Sequence, residues 1–192
     1  MRYRKIIVSL LCSTAIPATA ASTLSEDRGA AGLYQALKRL QTNARVLYIT
    51  AHPDDEDGGC LTLLSRGLGA DVTLLSLTRG EAGANLITSD FFDSLGALRT
   101  LELLKAAQYY GVRVRFTTFT DYGYSKNVEE AWRNWDREKL LADVVRIVRL
   151  EKPHVILTRW QGTSRDGHGH HTAAGIMAQL AFEAAGDPQR FP

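Results

Sequence analysis

The sequence predicts an α/β fold with a mainly parallel sheet and helices on both of its faces. Three observations carry this. Short β-rich runs alternate with helical stretches from Arg45 onward. The second run, DVTLLSLT, is apolar almost throughout, as a parallel strand covered on both sides should be. The two most unusual polar clusters each directly follow a strand, where ligands bind in open α/β sheets.

Taken in order, residues 1–20 carry Arg2, Arg4 and Lys5, then a short apolar run, then the small residues Ala18-Thr19-Ala20. This is the layout of a secretory signal peptide, and it sets the expectation of export to a periplasmic or extracellular space. The run is too short to span a bilayer, which takes ~20 residues. Three of the 23 basic residues and none of the 21 acidic ones lie in this segment, so its removal turns a formal charge of +2 into −1. A nucleic-acid footprint is thereby excluded. The mature chain keeps one cysteine, Cys60, so it folds without an internal disulfide. Cys60 reads as a small packing residue.

Residues 21–44 read as a lead-in with a short helix, its Leu33, Leu37 and Leu40 spaced for one face. Residues 45–192 form one domain. Arg45–Thr50 is the first strand, Cys60–Gly67 a helix ended by glycine, and Asp71–Thr78 the second strand. Asp93–Tyr110 is the clearest helix, with Leu95, Leu98, Leu101 or Glu102, Lys105 and Ala106 in repeat and Gly111 behind it. Val112–Thr118 is the third strand, and Asp136–Leu150 a helix stopped before Pro153. His154–Arg159 is the fourth strand and His171–Ala185 the last helix. The ending Arg190-Phe191-Pro192 has no capping element, which leaves a longer parent protein open.

The stretch after the first strand is AHPDDEDGG, residues 51–59, with one imidazole and four carboxylates within six positions. Carboxylates crowded at the end of a buried strand repel one another unless a cation sits among them. An acidic loop capping the next helix is the plainer reading. The stretch after the fourth strand is RDGHGHHTAAG, residues 165–175, which holds three of the chain's five histidines. His168 and His171, three apart on an opening helical turn, face the same way. Two such clusters at one sheet rim point to a common metal ion. His52, Asp55 and His171 give a nitrogen, oxygen, nitrogen set with Asp54 left beside the ion. Three protein ligands and an open position for water is the pattern of catalytic zinc, one Zn2+ per chain.

AHPDDE, TRGEAG and GHGHH, each after a strand, resemble the LmbE-like and PIG-L-type de-N-acetylase family from about Arg45 to the end of the chain. The resemblance implies a Rossmann-like three-layer domain binding one zinc. It places the metal ligands on His52, Asp55 and His171, the general base on Asp54, and a catalytic imidazole on His168. The family's H-P-D-H segment reads His168-Gly169-His170-His171 here, so its proline and aspartate are replaced. His170 is an extra imidazole, beside the metal ligands or exposed.

The implied activity is hydrolysis of the acetamide of an N-acetylated amino sugar or glycoconjugate. Glu81 and Arg99 match family positions near substrate; a plain loop carboxylate and a bridge from Arg99 to Glu102 are the alternatives. His154 reads as structural. Trp132, Trp135, Tyr122 and Tyr124 are either a sugar-stacking wall or cover for the sheet. Another metal-dependent amidase or phosphoesterase is a rival activity, and a non-catalytic carbohydrate-binding domain of a longer protein is another. A dinucleotide-binding domain is disfavoured, because no G-x-G-x-x-G follows the first strand.

Overall fold

The computed structural model describes residues 27–192; the signal expected at 1–20 lies outside the described residues. Among the described residues, four strands form one all-parallel sheet in the order β3-β2-β1-β4: β1 is Arg45–Thr50, β2 Asp71–Ser76, β3 Arg113–Phe116 and β4 Val155–Thr158. The helices are α1 (Gly29–Arg39), α2 (Gly58–Thr62), α3 (Asp93–Tyr110), α4 (Val128–Asn134), α5 (Arg137–Glu151) and α6 (Gly169–Gly186). This is the Rossmann-like α/β architecture expected.

Alternate side chains of β1 and β2 separate two apolar cores. Leu47, Ile49, Leu75 and Leu77 pack with α5 and α6 on one face. Val46, Tyr48, Val72 and Leu74 pack with Leu61 of α2 and with Leu103 and Ala107 of α3 on the other. Cys60 is half-buried against this second core. Both strands are buried over five of six residues, which explains their continuous apolar sequence.

Local chemistry sets the boundaries. Asp57, Asn127 and Asp136 cap α2, α4 and α5 by accepting backbone N–H bonds. Gly111, at φ +76°, ends α3 in the left-handed conformation. The helix after β1 continues as a π-turn over Leu63–Gly67, where the Ser65 hydroxyl lies against the carbonyls of Leu61 and Tyr110.

Three expectations change. The inward side of α3 carries Leu95, Leu103 and Ala107, while Leu98 and Leu101 face outward. Leu33, Leu37 and Leu40 in and just after α1 are all more than half exposed. α4 lies between the third strand and the following helix, where no element is expected from the sequence. His154 is structural, its Nδ1 accepting from the Arg45 backbone N–H at 3.0 Å. Among the described residues no helix is long and apolar enough to cross a membrane.

Candidate metal centre

The strand order reverses at β1: β2 and β3 lie on one side of it and β4 on the other. The chain segments leaving β1 and β4 therefore diverge above the sheet and leave a crevice between them. The two polar clusters meet there.

The turn after β1 folds back on itself. The His52 backbone N–H donates to Asp55 Oδ2 at 2.8 Å, which aims the carboxylate at its own ring neighbour. His52 Nδ1 lies 3.2 Å from Asp55 Oδ2, and His171 Nε2 lies 3.2 Å from Asp55 Oδ1. One ligand atom from each of the three residues falls within 4.8 Å of the others. His171 Nδ1 lies 3.2 Å from the Asp166 carbonyl, which only accepts, so Nδ1 carries a hydrogen and Nε2 is the nitrogen turned to Asp55. Trp160 stacks on the His171 ring at 3.8 Å and 6°, with the Arg159 guanidinium 5.2 Å from the indole. These contacts hold the imidazole in one orientation.

His168 is the N-cap of α6, and its Nδ1 accepts from the His170 backbone N–H at 3.2 Å. Its Nε2 is therefore the nitrogen that carries hydrogen when the ring is neutral. His52, His168 and His170 form a second grouping able to hold an ion, sharing His52 with the first. His170 is fully buried, stacked on Trp135 at 4.1 Å and flanked edge-on by Tyr122 at 4.4 Å. Its Nδ1 lies 3.0 Å from His52 Nε2 and 3.7 Å from Asp121 Oδ1. Its Nε2 is buried without a hydrogen-bond partner among the described residues. Trp135 and Tyr122 thus box a histidine; Trp132 faces Arg137 instead, and the exposed Tyr124 ring lies 5.0 Å from His168.

Burial alone would raise the Asp55 carboxyl, but hydrogen bonds from His171 and His52 overcome it and hold the group well below the usual carboxylate range. Burial alone would lower His171; the bond to Asp55 raises it instead. Burial, reinforced by the neighbouring imidazoles, takes His168 down to about 4 and His170 to about 2. Without a metal, Asp55 is thus ionised, His171 favours its protonated form, and the His168 and His170 rings are neutral.

Asp54 points outward, its side chain 67% exposed, and its Oδ2 pairs with Arg99 Nη2 at 2.7 Å. Arg99 thus reaches across to the turn after β1, a partner that neither reading of the sequence named. Glu81 is also placed differently from expectation. It is turned inward at 1% exposure, and its carboxylate accepts from the backbone N–H of Arg79 and of Asp121. Sequence reasoning missed Asp121, Trp160 and Asp166; the position of Trp160 just beyond β4 was the one available signal.

A family model described as PIG-L, GlcNAc-PI de-N-acetylase, matches residues 47–182. A 1D-myo-inositol 2-acetamido-2-deoxy-alpha-D-glucopyranoside deacetylase of Rhodococcus jostii is 34% identical over 76% of this chain and 55% of its own length. The protein of the same name in Geodermatophilus obscurus is 33% identical over 77% of the chain and 56% of its own length. The chain thus spans about half the length of the curated relatives it matches. Among solved structures, N,N'-diacetylchitobiose deacetylase from Pyrococcus horikoshii superposes with a TM-score of 0.66 at 22% identity, over 86% of this chain and 63% of that one. A 4-carboxy-2-hydroxymuconate hydratase from Pseudomonas putida gives 0.59 at 19% identity, over 78% and 60%. The same fold therefore carries more than one chemistry.

Proposed function

The chain belongs to the PIG-L family of GlcNAc-PI de-N-acetylases, and from that premise we propose that it is a zinc-dependent hydrolase acting on the acetamide of an N-acetylated amino sugar or glycoconjugate. One observation carries the reading: His52, Asp55 and His171 converge within reach of a common divalent ion while the adjacent Asp54 carboxylate remains outside the set.

The donor chemistry fits the ion. Two imidazole nitrogens and one carboxylate, without thiolate, are the ligand types of catalytic zinc sites. A buried carboxylate wedged between two imidazoles is also a seat that a divalent cation would neutralise. When bound, the ion supplies Lewis acidity toward the acetamide carbonyl and makes a water molecule acidic enough to attack near neutral pH.

The chain's own residues supply the remainder. Asp54 is the general base that accepts the proton of the attacking water. Arg99 holds the Asp54 carboxylate at 2.7 Å and so fixes the direction from which the proton leaves. His168 offers its Nε2–H as a hydrogen-bond donor to the carbonyl oxygen as negative charge develops, and the proton taken by Asp54 passes on to the departing amine. Glu81 braces the loop behind the site. The substrate class rests on the names of the Rhodococcus jostii and Geodermatophilus obscurus relatives, both of which specify a 2-acetamido sugar. The arginine and lysine residues near Met1 and the apolar run after them support export, with cleavage after Ala20.

The test combines metal analysis with assays for free amine and acetate over a panel of N-acetylglucosamine derivatives. One zinc per chain and equal release of both products is the expected result. A fully metal-loaded protein that releases neither overturns the assignment. Two metals per chain with phosphatase activity would favour a phosphoesterase, and tight sugar binding without turnover a carbohydrate-binding domain.

A further inference from the structure

His52 belongs to both metal-capable groupings, yet its two ring nitrogens face different neighbours. Nδ1 lies 3.2 Å from Asp55 Oδ2, and Nε2 lies 3.0 Å from His170 Nδ1. An imidazole that gives one nitrogen to a metal keeps its hydrogen on the other, and that N–H needs an acceptor to fix ring and tautomer. We infer that His170 is a positioning residue that accepts the Nε2–H of His52 at its own Nδ1, leaving the Nδ1 lone pair of His52 free to join Asp55 and His171 around the ion. The inference rests on the metal reading proposed above.

The surroundings of His170 suit an orienting group better than a ligand. The residue is fully buried, and Trp135 and Tyr122 confine its ring on two sides. Asp121 Oδ1, at 3.7 Å, is too far to claim Nδ1 as a hydrogen-bond partner. With Nδ1 committed as acceptor, the ring hydrogen sits on Nε2, inside the aromatic box.

The same segment explains why this chain departs from H-P-D-H at two adjacent positions. The Gly169 backbone N–H donates to the Ser125 carbonyl at 2.8 Å, a bond that proline cannot make. A Cβ at residue 169 would lie 2.1 Å from the Asn127 carbonyl oxygen and 2.3 Å from Ser125 Oγ. Glycine therefore lets the segment after β3 press onto the first turn of α6. That segment brings Tyr122 and Asp121 against residue 170. An imidazole fits the resulting box of rings, with its Nδ1 within hydrogen-bond reach of His52 Nε2.

The test is Zn2+ affinity by chelator competition in the wild type, His170→Phe and His170→Asn. Phenylalanine keeps a ring for Trp135 but has no acceptor; asparagine restores an acceptor oxygen at the branch where Nδ1 stood. The dissociation constant should rise about 10–100-fold in His170→Phe and stay within about threefold of wild type in His170→Asn. Circular dichroism of the metal-free proteins checks that both variants fold. Co2+ in His170→Asn should keep the wild-type absorption envelope, because no ligand has been lost. His170→Phe binding as tightly as wild type overturns the inference. So does a His170→Asn spectrum that has lost an imidazole, since His170 would then be a ligand. A wild-type protein that binds no divalent ion sinks the metal reading itself, and this inference with it.

Discussion

Asp54 Oδ2 lies 2.7 Å from Nη2 of Arg99, and Nη1 of the same guanidinium lies 3.4 Å from the Gly80 carbonyl. Arg99 thus lies in a slot between the turn after β1 and the loop after β2. The slot exists because residues 80 and 83 lack side chains: a Cβ at either would stand 2.3 Å from Nη1. The TRGEAG stretch, the least specific of the three motifs, is in this structure the bed on which the arginine reaches the aspartate.

Arg99→Gln follows directly. The Asp54 carboxylate is mostly solvent-exposed, so losing the pair should cost folding stability less than about 1 kcal/mol. Deacetylation should nevertheless fall about 10- to 100-fold, because a base displaced by an ångström misses the proton it must take. Zinc content should not change. Wild-type turnover in this variant would reduce the pair to an ordinary surface bridge.

Asp54→Asn separates base from ligand. Asparagine retains the shape but cannot accept a full proton, so the rate should drop by about 10²–10⁴ while metal affinity stays near wild type. Isothermal titration with Zn2+ beside a steady-state assay reads both. Metal loss in this variant would mean that Asp54 and Asp55 have exchanged roles.

The imidazoles set a pH dependence for the chelator-treated protein. His168 and His170 titrate below their ordinary value of 6.5, so the unfolded chain takes up protons first as the pH falls. Their contribution is complete above about 6.5 and is lost toward pH 4 and below. Asp55, held below the carboxylate range, adds a further loss in stronger acid. His171 opposes them: its value is raised, so its contribution is present below 6.5 and fades as the pH rises through the folded value. Two rings against one give a net loss on acidification. The urea midpoint of the metal-free protein should fall steadily from pH 7 to pH 4; a flat profile would mean that the two rings are solvated.

The fold was legible because its signals are local. The end of α3 follows from Gly111, although the repeat read on it included the outward-facing Leu98 and Leu101, and β1 follows from an uninterrupted apolar run. α4 was not, since a seven-residue helix with one buried residue, Ala131, leaves almost no periodicity to read. The juxtaposition of His52, Asp55 and His171 was legible because both halves sit beside strands whose order brings them together. What packs against it was not. The box around His170 draws on Tyr122 and Trp135, and the partner of Asp54 lies 45 residues away on α3, whereas Glu102 offered Arg99 a nearer one in sequence. Pairings of that kind depend on tertiary packing, which neither periodicity nor motif spacing encodes.

Glu81 is where sequence and structure part most clearly, and its substitution separates the two roles. Its carboxylate accepts from the N–H groups of Arg79 and Asp121 in a buried setting, and its own backbone carbonyl accepts from Phe92 at the far end of the loop. A Cβ at Gly96 would lie 2.7 Å from its Cγ, so α3 packs directly on its stem. Glu81→Ala would leave the buried Asp121 N–H and the part-buried Arg79 N–H without their acceptor, remove the ion pair to the Arg79 guanidinium, and should cost about 1–3 kcal/mol of stability. If Glu81 is a brace, the surviving folded, zinc-loaded protein should show a near-normal KM, with any loss falling on kcat through the Asp121 side of the site. A raised KM at unchanged unfolding midpoint would restore it as a substrate contact. Urea unfolding and steady-state kinetics on the same preparation decide between these outcomes, because a carboxylate that accepts from the backbone of Arg79 and Asp121 cannot at the same time turn outward to a sugar hydroxyl.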